Sequence, residues 1–237
     1  MTSRRIEKGR FETLRRIGRR LLLGSALVIG VLMAIGHYLP LPEEAKSASN
    51  PLQEYVVQQL PLYQQVPTAT LLHVVPSLLL MILLGLQVIP QIRKRYPGVH
   101  RIVGRILVCV SLVMTLSGLY IAFVMPFGGI AETVVTVIIS ATFFSFIYLG
   151  YRAIKRKDIA AHKKWMMRVT AAALTPITMR LMFAPTIALF DISAREAFAP
   201  LLLIALILNV LIMNIYLHKR KANKQAPSDM KLIVNAA

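Results

Sequence analysis

The sequence predicts an all-α fold, a polytopic bundle of six transmembrane helices with both termini in the cytoplasm. Three observations predict it. Of the 237 residues, 56% are hydrophobic and only 16% charged, with a mean hydropathy of +0.62, a balance that soluble domains do not reach. Six apolar runs, about residues 21–39, 68–90, 102–125, 131–150, 166–190 and 197–217, are each near the roughly 20 helical residues that a bilayer core requires. The basic residues sort between them: 25 of the 28 fall in residues 1–20, 91–105, 151–168 and 218–237. The gaps at 40–67, 126–132 and 191–196 instead hold Glu43, Glu44, Glu54, Glu132, Asp191 and Glu196 against Lys46 and Arg195. Only an inner-membrane orientation with both ends inside satisfies the positive-inside rule.

Taken in order, residues 1–20 form a basic juxtamembrane segment. Phe11, Leu14, Gly18 and Leu21 share one helical face, as in a segment lying on anionic lipid of the cytoplasmic leaflet. The first run, 21–39, follows a long basic region and precedes Pro40 and Pro42, so it reads as an uncleaved span rather than a signal peptide. Outside, Leu52, Tyr55, Val56 and Leu60 recur at helical spacing, predicting a short interfacial helix over residues 51–59. The second span carries His73 near its external end, and Pro76 kinks it and frees the carbonyl of Leu72. The third opens at His100, Arg101 and Arg105, and the fourth follows Gly128 and Gly129. The fifth opens at His162, Trp165 and Arg168 and carries Arg180 between Pro176 and Pro185; the sixth ends in a polar tail, 218–237, expected to fray.

The chemistry that the chain excludes is clear. A single cysteine, Cys109, permits neither a disulfide framework nor a CxxC pair, no GxSxG elbow appears, and the glycine-bearing stretches lack a phosphate-loop pattern. The net charge of +18 is confined to membrane edges, so its partner is the lipid surface and not nucleic acid. Ser77, Ser111, Thr115 and Ser117 read as small packing residues at helix contacts.

The candidates are histidines and arginines. His73 lies toward the external side, and His100 and His162 at the cytoplasmic edge, giving two layers of imidazole. Arg180, within hydrocarbon, needs a partner: backbone freed by its flanking prolines, an anionic group, or a quinone or substrate oxygen. Asp158 and His162 at i and i+4, with His100 opposite, offer a further metal-enzyme arrangement.

In combination, His73, Gly85-Leu86-Gln87, His100-Arg101-x-x-Gly104-Arg105, His162-x-x-Trp165-Met166-x-Arg168 and Arg180-Leu181 resemble a bacterial integral-membrane family, domain of unknown function 2306, over about residues 68–183. The resemblance implies a multi-helix membrane protein whose pattern includes the three histidines and Arg180, and it brings no reaction with it. A looser similarity, at fold level only, is to small b-type membrane cytochromes. These readings give two expectations. One is a b-type haem or quinone-linked electron-transfer protein, with His73, His100 and His162 as metal ligands and Arg101, Arg105, Trp165, Arg168 and Arg180 lining the cofactor. The other is a non-catalytic bundle: an assembly partner, or a transporter or binding site for a small anionic solute centred on Arg180.

Overall fold

In a computed structural model the backbone is described for residues 51–235 and the side chains for residues 57–220. The basic segment 1–20 and the expected span at 21–39 lie outside the described residues. The described residues form helices and no strand: α1 Pro51–Gln65, α2 Pro67–Val88, α3 Pro90–Arg95, α4 Pro97–Val124, α5 Gly129–Lys155, α6 Ile159–Ala173, α7 Thr175–Phe190 and α8 Ala194–Asn235. Proline marks the starts of α2, α3 and α4, where a missing N–H costs nothing and the fixed φ suits the first turn.

Five stretches are long and apolar enough to cross a bilayer: α2, α4, α5, the combined Ile159–Phe190, and Ala194–Arg220 of α8. Four of the six expected spans are matched closely. The expected fifth span begins earlier, at Ile159, and is interrupted at Leu174. Pro176 lies two residues beyond the break, where it has no N–H for the Ala172 carbonyl and its ring crowds that carbonyl. The last helix runs on to Asn235, through the stretch expected to be a frayed tail. The interfacial helix is also longer than expected, running through Pro61 to Gln65.

The chain divides into two compact units, one of residues Leu60–Gly118 and one joining residues 51–59 to Leu119 and beyond. In the first, α2 and α4 run antiparallel: His73 meets the Met114 carbonyl and Gln87 the His100 carbonyl. Between these two contacts, positions 77, 80 and 84 of α2 and 104, 107 and 111 of α4 continue an alternating four-three spacing, the pattern that keeps one stripe on the seam of two helices. Leu80, Leu84, Leu107 and Ser111 fill its middle and are buried. In the second unit, α8 packs on α5, α6 and α7, and α5 packs on α6. Val169, Met179, Phe183 and Ala205 form the buried centre of this unit.

Candidate functional site

Both ends of the α2–α4 seam are polar, and both are built alike. At one end His73 Nδ1 lies 2.9 Å from the Met114 carbonyl oxygen, and its ring rests against Gly118, where an added Cβ would come within 2.8 Å of the ring. At the other end Gln87 Nε2 donates to the His100 carbonyl at 2.9 Å, and Gly104 lies beneath the Gln87 amide. In each case a side chain of α2 reaches a carbonyl of α4 and lies over a glycine one turn on. The two points are 14 residues apart on either helix, about 21 Å along the axis. His73 and His100 therefore occupy separate layers of this unit, as the sequence predicts.

Pro76 lies inside the continuous helix α2. The Leu72 carbonyl, released by Pro76, accepts from Ser117 Oγ at 3.0 Å, and the same hydroxyl lies within 2.9 Å of the Val113 and Met114 carbonyls. Ser117 is thus more than a small packing residue, since its hydroxyl reaches the carbonyl that Pro76 deprives of its helical donor. Ser77 and Ser111 instead donate to carbonyls one turn back on their own helices.

The second unit assembles the other histidine motif. His162 Nδ1 is 2.8 Å from the Gly150 carbonyl of α5. Without a side chain at Gly150, α6 approaches so closely that Met166 Cε occupies the space of the absent Cβ. Trp165 packs against Phe146, with ring centroids 5.8 Å apart, and carries the Arg168 guanidinium over its own ring at 4.6 Å. Arg168 Nε also donates to Asn214 Oδ1 of α8 at 2.9 Å. His162, Trp165 and Arg168 thus form one cluster linking α5, α6 and α8.

The remaining candidates fall elsewhere. Arg101 and Arg105 are exposed on α4, and Arg101 Nε reaches only the Pro97 carbonyl of its own helix. Arg180 is half-buried, and its Nη1 donates to the Pro176 carbonyl at 3.3 Å. That carbonyl is not one of those freed by proline, which belong to Ala172 and Leu181. His100 belongs to the first unit and His162 to the second, so neither unit by itself forms the pair expected from their motifs. Asp158 is the N-cap of α6, where its Oδ1 accepts from Ala161 N. Among the described residues, no three His, Cys, Asp or Glu side chains gather as a metal centre.

A polar seam that sequence reasoning missed runs through the second unit at the helix break. Thr178 Oγ1 donates to Asn209 Oδ1 at 3.0 Å, while Asn209 Nδ2 and the fully buried Thr175 Oγ1 have no hydrogen-bond partner among the described residues. Asn209 and Asn214 were legible in sequence, as two amides inside the last apolar run.

The fold and these sites define a multi-pass helical membrane protein in which polar side chains tie helices together through backbone carbonyls. More particularly, residues 70–217 match the predicted membrane protein family DUF2306, and the chain belongs to that family. The match extends into α8, to residue 217, and so includes Asn209 and Asn214, beyond the expected limit near residue 183. No curated protein and no solved structure matches the chain.

Proposed function

We propose that the chain is an inner-membrane protein of six spans with both termini cytoplasmic, that it binds b-type haem, and that it exchanges electrons with a quinone. The observation that carries this reading is the common setting of His73 and His162, each with Nδ1 at hydrogen-bond distance from a carbonyl of the neighbouring helix. A carbonyl only accepts, so Nδ1 holds the proton and the lone pair of the neutral ring lies on Nε2. Proteins orient metal-ligating imidazoles in this way. Haem, when bound, supplies one-electron chemistry that the side chains lack. Because His73 and His100 lie in different layers, the first unit offers one imidazole per site, which fits a single-histidine ligation. His73, His100 and His162 are the ligands of this reading; Arg168, stacked on Trp165 beside His162, supplies a cation for a propionate there, while Arg101, Arg105 and Arg180, each turned to solvent or to its own helix, contribute less than the sequence pattern implies. Charge supports the orientation: Arg93, Lys94 and Arg95 end α3, and Arg152 to Lys164 surround the α5–α6 turn, whereas Glu132, Asp191 and Glu196 lie at acidic helix ends. The basic ends draw anionic lipid to the cytoplasmic face.

Reduced-minus-oxidised spectra of the detergent-purified chain and of its His73→Ala, His100→Ala and His162→Ala variants test the reading. The expected result is a haem signal lowered in at least one variant whose helical circular dichroism is unchanged. A signal unaltered in all three removes these ligands from the account.

A second reading, a bundle binding a small polar solute, is favoured by the Thr175 and Asn209 groups at the helix break. An interrupted helix inside a membrane is where such sites are built. It moves the centre of that site from Arg180, which is satisfied locally, to the α7–α8 seam.

A further inference from the structure

The second unit carries, on α5, a surface that matches one phospholipid molecule. Tyr148, Tyr151, Arg152 and Lys155 stand at i, i+3, i+4 and i+7, hence on one helical face, and all four are exposed. The Arg152 guanidinium lies 5.6 Å from the Tyr148 ring centre, and the Lys155 ammonium 5.8 Å from that of Tyr151. These are two adjacent cation–aromatic pairs. The face pointing at α6 is a different one, holding Phe146 and Gly150. Toward the middle of the helix the outer stripe continues through Ser145, Ala141, Ile138, Val137 and Val134, all exposed. Ten residues separate Tyr148 from Ile138, about 15 Å, which is half of a typical hydrocarbon core.

We propose that this stripe is a binding site for an anionic phospholipid, with the phosphate held between Arg152 and Lys155 and an acyl chain lying along Ser145 to Val134. The chemistry selects the occupant. Two cations a single turn apart recognise a phosphodiester, the tyrosines place their rings at headgroup level, and the apolar stripe is one leaflet long. Tyrosine also limits the freedom of each cation, so the pair is held for a phosphate. A soluble phosphate would use the cations but leave the stripe uncovered. The site needs only that α5 spans a membrane and is independent of the haem reading.

Native mass spectrometry of the purified full chain tests it, titrating phosphatidylglycerol, phosphatidylcholine and soluble glycerol phosphate. Each surface cation contributes about a fivefold effect. The expected result is binding of phosphatidylglycerol in preference to the other two, weakened about 20- to 30-fold in Arg152→Gln/Lys155→Gln. A charge-matched control, Lys94→Gln/Lys164→Gln, removes two exposed lysines from elsewhere and is expected to weaken binding less than about threefold. Tyr148→Leu/Tyr151→Leu keeps the charge and the apolar bulk, and its binding falls several-fold. Equal losses in the two charge-removing variants overturn the proposal in favour of diffuse attraction, as does equal binding of phosphatidylcholine. Binding of glycerol phosphate as tight as that of the lipid overturns the role of the stripe.

Discussion

Gly118→Ala probes the construction of the α2–α4 seam at its tightest point. The new Cβ would lie 2.8 Å from His73 Cε1 and 2.9 Å from Nδ1, closer than carbon and nitrogen tolerate, so the ring or the helix must move. The ring is tethered, because its Nδ1 bond to Met114 ties it to the same helix that carries the new methyl. Overpacking of this kind costs about 1–3 kcal/mol, and a lost interhelical hydrogen bond in a membrane protein averages about 0.6 kcal/mol. Opposing both is the better helix propensity of alanine, up to about 1 kcal/mol. The net expectation is a destabilisation of about 1–2 kcal/mol, combining these ranges. Gly104→Ala is the internal comparison: its Cβ would meet the Gln87 amide at 3.7 Å, an ordinary contact, so it is neutral or stabilising by up to about 1 kcal/mol. Unfolding by SDS in mixed micelles measures both. The cost of Gly118→Ala is expected to vanish in a His73→Ala background, since the clash is with that ring alone. The same cost in both backgrounds, or equal effects at Gly118 and Gly104, would show that the His73 ring is not what the new methyl meets.

Three further outcomes follow from the second unit. Gly150→Ala is expected to cost less than Gly118→Ala, about 1 kcal/mol or under, because the atom in its way is the free end of Met166, which can turn aside; the same SDS titration reads the difference. Arg168→Leu should destabilise by about 1–3 kcal/mol through the stranded Asn214 amide and the lost stacking on Trp165, whereas Arg180→Leu changes stability by less than about 1 kcal/mol, since it breaks only a bond within its own helix. A larger effect at Arg180 would restore it as the centre of the expected anionic-solute site. Thr178→Val loses about 0.6–1.7 kcal/mol with its bond to Asn209, while Thr175→Val is neutral or stabilising by up to about 1 kcal/mol, because its buried hydroxyl has no hydrogen-bond partner among the described residues; a loss at Thr175 above that at Thr178, in thermal melts of the purified chain, would contradict this.

The five described spans were legible because hydrocarbon imposes a single rule, an apolar helical stretch of fixed length, and this rule writes itself into sequence. The consequence of Pro76 was legible for a similar reason, since a proline always deprives a known carbonyl, here that of Leu72. What takes that carbonyl was not, because Ser117 is 45 residues away and its hydroxyl looks like any small residue in a helix. The break at Leu174 needed more than Pro176. Pro76 and Pro185 also lie within apolar helices, yet α2 and α7 continue through them. The histidine motifs were visible as patterns, and their purpose was not. His73, Gln87, His100 and Gly104 share one seam only when α2 and α4 are set antiparallel in a particular register. The Arg101 and Arg105 of the same motif point away from it. Arg180 drew attention because an intramembrane cation is costly, but a long side chain can bond to its own helix, as Arg180 does to Pro176.

The most direct test of the account is the absorption spectrum of the intact, detergent-purified chain from haem-replete cells, oxidised and then reduced with dithionite, with iron measured on the same sample. A b-type haem protein gives a Soret band that shifts on reduction and iron bound in proportion to protein. A colourless, iron-free protein would contradict the haem reading, and would leave the α7–α8 seam at the helix break as the place to look for a ligand.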